Sequence, residues 1–184
     1  CQGPWWVDYN HAPPGGGYLQ LLMCLVTKGP SGESIREAAG ENRFVKAGFP
    51  TDFTNARISL RLRGELEAAG TKFSVLIQGS IDGLVSGWVL TGQTFEITED
   101  WTEQTVTLAP DPAQWTSIGS RHDRTDTYGE KPLRDILRNV NVNMHLIMFP
   151  VKPRPMGRLD GDPHRLRAGR GGGRTGLDEA HVQR

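Results

Sequence analysis

Only two cysteines occur among the 184 residues, Cys1 and Cys24. Two, with one of them at the first position, argue against a disulfide framework and against a thiolate zinc site. Cys24 lies within an apolar run and reads as a buried thiol, so the redox compartment stays open. An excess of either charge is also missing, since Lys plus Arg and Asp plus Glu number 21 each. No overall field then draws the chain to nucleic acid or to a membrane, and a charged partner has to be met locally. Long apolar runs are absent too: Tyr18–Val26 and Met144–Val151 are the densest, and a membrane-spanning helix needs about 20 residues. The five histidines, His11, His122, His145, His164 and His181, show no paired spacing of the kind zinc sites use. The chain opens on Cys1 rather than Met, as processing or truncation of a longer chain would leave it, and a preceding signal peptide is compatible with that.

What is present is a series of short alternating segments. After the breaker Pro13-Pro14-Gly15-Gly16-Gly17, residues Tyr18–Val26 predict a buried strand. Residues 28–52 read as a long surface excursion with a short helix near Ser34–Ala39. In Ala56–Gly64, Ile58, Leu60 and Leu62 alternate with Ser59, Arg61 and Arg63, the period-two signature of a strand with one packed face. Phe73–Gln78 repeats the pattern, and Trp88–Leu90 and Thr105–Leu108 predict further strands. Pro132–Arg138 has helical spacing behind a proline and predicts a short helix. Beyond it, Val140, Val142, Met144, Leu146 and Met148 form one face of a strand, and Asn141, Asn143, His145, Ile147 and Phe149 the other. Residues 152–176, rich in Pro, Gly and Arg, predict irregular chain, and Leu177–Val182 a closing strand. Many short strands without alternating helices predict a single all-β domain over 1–184, a two-sheet antiparallel jelly-roll-like sandwich with one short helix near 132–138. Ile58, Leu60, Leu62, Val75, Ile77, Val106, Leu108, Val142, Met144 and Leu146 should then lie between the sheets, with Trp101 packed among them.

Three of these segments, Ile58-Ser59-Leu60-Arg61-Leu62-Arg63-Gly64, Phe73-Ser74-Val75-Leu76-Ile77-Gln78 and Asp100-Trp101-Thr102-Glu103-Gln104-Thr105-Val106-Thr107-Leu108, together with a late Leu177-Asp178-Glu179, carry a resemblance to a known group. The chain resembles the galactose-binding-like jelly rolls, which include carbohydrate-binding modules and the domain of complex I intermediate-associated proteins. A Trp leading into an alternating strand commonly opens the second half of that sandwich. The resemblance covers most of Tyr18–Phe149, and the basic Gly-rich tail departs from it. It implies a binding role by analogy of fold.

The residues themselves supply a second argument for binding. Arg61, Arg63, Gln78, Asn141, Asn143 and His145 all alternate with core positions, so on adjoining strands they would share one polar surface. Amides that both donate and accept, beside planar guanidinium forks, suit the hydroxyls and carboxylates of a glycan. Trp88, Trp115 and Tyr128, near strand ends or in polar loops, are the candidate stacking rings. Arg121-His122-Asp123-Arg124-Thr125-Asp126-Thr127-Tyr128-Gly129 gathers acids, bases, an imidazole and a phenol, with Arg121, His122 and Tyr128 as its candidate contacts. The plain alternative for each is structural: outward residues of any sandwich are polar, and most Trp residues pack.

An enzyme reading stands beside this one. Arg61 or Arg63, Gln78, His145 and Tyr128 are similar in type to the residues of jelly-roll polysaccharide lyases, in which Arg and an amide neutralise a uronate carboxylate, His or Tyr removes the C5 proton and Tyr protonates the leaving oxygen. Their order differs, and that family's Tyr-rich closing-strand motif has no counterpart in this chain. No cofactor is expected. Asp160-Gly161-Asp162 offers calcium two carboxylates, where about six to eight oxygens are wanted. Gly169-Arg170-Gly171-Gly172-Gly173-Arg174 resembles an arginine-glycine segment, but the neutral whole chain reads it as a terminus rather than a nucleic-acid site. The expectation is a noncatalytic glycan-binding sandwich, extracellular or periplasmic and compatible with attachment to a catalytic domain. A lyase and a structural accessory domain are the alternatives.

Overall fold

The longest strand, Lys72–Ile81, is buried on both sides of its pleat from Phe73 to Gly79, as a strand with sheet on either side and layers on both faces requires. In the computed structural model, which describes residues 6–8, 17–23, 43–68, 70–121, 125–151, 155–158 and 166–168, it is a central strand of an antiparallel sheet. The elements in chain order are β1 (Trp6–Asp8), β2 (Gly17–Met23), α1 (Arg43–Lys46), β3 (Arg57–Leu62), β4 (Lys72–Ile81), β5 (Leu84–Leu90), β6 (Thr102–Thr107), a 3₁₀ turn (Pro112–Gln114), β7 (Trp115–Ser117), α2 (Leu133–Leu137), β8 (Asn143–Val151), β9 (Pro155–Arg158) and β10 (Leu166–Ala168). Six strands form one sheet in the order β1-β2-β8-β4-β5-β7, and β3 pairs with β6 in a second. The fold is an all-β, two-sheet antiparallel sandwich, with the expected short helix at Leu133–Leu137. No helix of the described residues is long and apolar enough to cross a membrane.

Local chemistry places the strands. The β4–β5 hairpin closes on Asp82-Gly83, both at positive φ (51° and 75°), with Ile81 paired to Leu84. This two-residue turn matches the twist of the flanking strands, and Asp-Gly is among the pairs that tolerate it. Phe73, Val75 and Ile77 of β4, Leu90 of β5 and Leu146 and Met148 of β8 face inward. They meet Ile58, Leu60 and Leu62 of β3, Val106 and Leu108, and Leu133, Ile136 and Leu137 of α2. Gly79 lets α2 close down: a β-carbon there would stand 2.3 Å from the Asn139 carbonyl oxygen. On β2 the register shifts between Gln20 and Leu22, so Gln20 faces Ile147 while Met23 faces His145. That bulge puts Leu21 and Leu22 together against the core.

The two-stranded sheet is narrow, and this explains a difference from expectation. Ile58, Leu60 and Leu62 are only half-buried, because among the described residues neither β3 nor β6 has another strand beside it to seal the flank. The Gln93 amide accepts from Thr107 N at 2.9 Å and donates to Thr107 O at 3.0 Å, occupying the free edge of β6 as a further strand would. Gln104 does the same for Glu96, accepting from its N at 2.8 Å and donating to its O at 2.7 Å.

Two expectations need correction. Trp101 does not pack in the core but is 54% exposed: it shares the parity of Glu103 and Thr105, whose side chains point outward from β6. Residues 152–176 are not wholly irregular, since β9 and β10 form an antiparallel pair, and backbone pairing between neighbouring segments needs no apolar alternation. Trp115–Ser117 is a strand that its mixed sequence did not announce. The helix expected near Ser34–Ala39 and the closing strand at Leu177–Val182 lie outside the described residues.

Candidate functional site

The sandwich divides the predicted polar surface in two. Because the inner face of β3 rests on the inner face of β4, their outward residues lie on opposite sides of the molecule. Gln78, Asn143 and His145 do come together, on the outer side of the six-stranded sheet. Gln78 is paired with Asn143 across β4 and β8, and its side-chain oxygen lies 3.2 Å from His145 Nε2. Arg61 and Arg63 project instead from β3, away from that group. Asn141 precedes β8 and turns back on the chain, its side-chain oxygen accepting from Ser80 N at 2.8 Å. The expectation that Arg61, Asn141 and the three buried polar residues share one surface is therefore corrected: parity fixes which side of its own sheet a residue takes, not which sheet it joins.

The outer side of the large sheet is also not an open platform. Gln20, Gln78, Asn143 and His145 are each at most 3% exposed. Burial pushes the His145 imidazole from 6.5 down to about 4, because an imidazolium removed from water loses its hydration. The ring is thus neutral near pH 7. Ile118 lies against Gly87 on this side, with a β-carbon at Gly87 only 2.5 Å from the isoleucine Cδ1.

The aromatic candidates each take part in the packing or hydrogen bonding of the fold. The Trp115 indole is buried and donates to Ala109 O at 2.8 Å. Trp88 is half-buried and donates to Lys131 O at 3.0 Å, fixing the segment that leads into α2. Tyr128 is buried beside Val85 and Val142, with the Arg121 guanidinium carbon 5.2 Å from its ring centre. Arg121 is buried as well. His122 lies outside the described residues, as does Asp160-Gly161-Asp162. Among the described residues, no three His, Cys, Asp or Glu side chains gather as a metal site would need.

The accessible cluster lies on the opposite side, where β3 and β6 turn a ladder of side chains to solvent. The pairs are Arg57 with Thr107, Ser59 with Thr105 and Arg61 with Glu103, and Arg63 and Trp101 lie just beyond the last pair, Leu62 with Thr102. Both guanidiniums lie over the indole, at 4.9 Å for Arg61 and 5.2 Å for Arg63. The ring's negative face attracts each of them. Glu103 is the direct cross-strand partner of Arg61, yet no ion pair joins them among the described residues. Next along, the Ser59 and Thr105 hydroxyls lie 2.7 Å apart. The arrangement offers a flat ring edge, two planar donor forks and a pair of hydroxyls on one exposed surface. Comparison of the chain with family models, curated proteins and solved structures gave no match. Function must be argued from this geometry alone.

Trp101 is the residue that sequence reasoning misplaced. Its signal was present: counting back by two from Thr105 through Glu103 reaches Trp101, on the solvent side of β6.

Proposed function

We propose that this protein is a noncatalytic glycan-binding module whose contact surface is the outer face of β3 and β6. One observation carries the reading: a Trp side chain 54% exposed on a strand face, with two arginines lying over it. An exposed indole presents apolar area that a sugar ring can cover. Arg61 and Arg63 hold each other's like charge close by, and a carboxylate or sulfate on the sugar would relieve that repulsion while taking bidentate hydrogen bonds. The Ser59 and Thr105 hydroxyls serve neutral sugar hydroxyls. Acidic glycans are the expected ligands, and the resemblance to galactose-binding-like jelly rolls agrees with this role. An extracellular or periplasmic location, with a catalytic domain alongside, would follow from it.

The binding reading is favoured over a lyase by the burial of His145 and Tyr128, 3% and 6% exposed. A general base must come within hydrogen-bond reach of the proton it removes, and a polymer cannot approach side chains so enclosed. A glycan array followed by calorimetry tests the proposal. Acidic glycans should bind more tightly than neutral ones, and less tightly as salt is raised. Trp101→Ala and Arg61→Ala should each weaken binding by roughly 10-fold or more, the equivalent of about 1.5–3 kcal/mol for a charge-assisted contact, with little change in thermal midpoint. Binding left unchanged in both variants, or no binding to any glycan, would leave a structural accessory domain.

A further inference from the structure

Among the described residues, two buried polar atoms on the outer side of the six-stranded sheet have no hydrogen-bond partner: Gln20 Nε2 and His145 Nδ1. Both residues are 3% exposed, and buried polar groups in folded proteins are otherwise nearly always satisfied. The topology makes them neighbours. Gln20 is opposite Ile147 and Met23 is opposite His145 on the adjoining strand, so Gln20 and His145 lie on one face as a diagonal pair. At that spacing long side chains reach toward each other, and the bulge after Gln20 brings the two stretches of backbone into an irregular register.

The hydrogen-bonding roles of the two atoms differ, and the difference defines what would fit. The side-chain oxygen of Gln78 is an acceptor and lies 3.2 Å from His145 Nε2, so Nε2 carries the ring proton. In the neutral ring, Nδ1 then offers only a lone pair. Gln20 Nε2 offers only protons. A carboxylate would satisfy Gln20 and leave Nδ1 without a donor, whereas an ammonium would do the reverse. A hydroxyl satisfies both, since its oxygen accepts and its proton donates.

We propose that Gln20 and His145 together form an internal site for one hydroxyl group, which accepts from Gln20 Nε2 and donates to His145 Nδ1. The hydroxyl belongs either to a resident water or to a small polyol. Gln78 orients the imidazole by fixing its tautomer, in the way a second partner fixes a ligating histidine. The site is independent of the outer face of β3 and β6 and stands or falls separately from glycan binding there.

Nuclear magnetic resonance on the intact, wild-type chain with ¹⁵N-labelled histidine tests the site near pH 7. The His145 ring should be the neutral Nε2–H tautomer, with Nδ1 showing the shift of a hydrogen-bonded acceptor. In polyol-free buffer, a cross-peak from the ring Hε1 to a slowly exchanging water proton identifies water as the guest. In a second arm glycerol, then galactose, is titrated in. Replacement of the water cross-peak by one to the added carbon-bound protons, with a shift of the Gln20 side-chain amide, identifies a polyol site. Gln20→Met should abolish the hydroxyl cross-peak while leaving the Nε2–H tautomer, which depends on Gln78, unchanged. An Nδ1–H tautomer, a free-acceptor Nδ1 shift in both arms, or a protein group seen donating to Nδ1 would each overturn the proposal.

Discussion

Acidification should destabilise this fold through one residue, and the size of the effect follows from where that residue sits. His145 is fully enclosed, and burial alone lowers its pKa from 6.5 to about 4. Above pH 6.5 the imidazole is neutral in the folded and the unfolded chain, and pH has no leverage through it. Below 6.5 the unfolded chain takes up a proton that the folded chain refuses, so unfolding becomes progressively easier. The loss continues until about pH 4, where the folded form also accepts the proton, and then levels off. At 1.36 kcal/mol per pH unit, the interval from 6.5 to about 4 amounts to about 3 kcal/mol, a substantial share of the roughly 5–15 kcal/mol by which ordinary domains are stable. Urea unfolding of the wild type and of His145→Gln, measured from pH 8 to pH 4, isolates this contribution, because every other titrating group is common to both chains. The wild type should lose about 3 kcal/mol more than the variant over that range. Parallel stability curves, or a His145 resonance titrating near 6.5, would refute the reasoning.

Two further substitutions probe the frame around the site. Gly79→Ala places a methyl carbon 2.3 Å from the Asn139 carbonyl oxygen, a backbone atom that also accepts from Asn141 N; overpacking of this kind costs about 1–3 kcal/mol, and the thermal midpoint should fall correspondingly. Trp88→Phe removes the indole donor to Lys131 O and should cost about 1 kcal/mol in urea unfolding while leaving glycan affinity unchanged, since that ring is no part of the exposed cluster.

The strands were legible because alternation is a local signal. Ile58-Ser59-Leu60-Arg61-Leu62 spells out one packed and one wet face, and β3 has that alternation of half-buried and exposed residues. The partition of strands between sheets was not legible, since it depends on long-range pairing: nothing near Arg61 reveals that β3 joins β6 while β4 joins β8. For the same reason Gln78, Asn143 and His145 could be grouped by parity, but their burial could not be read, because period two gives a side chain's direction and not what lies beyond it. Trp101 shows the converse failure. It was expected among the core residues, whereas the plain count along β6 points outward.

The glutamine side chains along β6 bear on how this molecule meets others of its kind. Among the described residues the β3–β6 sheet has no third strand, and unpaired strand edges invite pairing with any extended chain that drifts past. At Thr107 the backbone donor and acceptor that such a chain would need are both held by the Gln93 amide. An intruding strand would have to displace that amide before gaining its first hydrogen bonds there. Beside an exposed Trp101 and the two Arg side chains over it, that protection keeps a sticky surface from becoming a seed for aggregation.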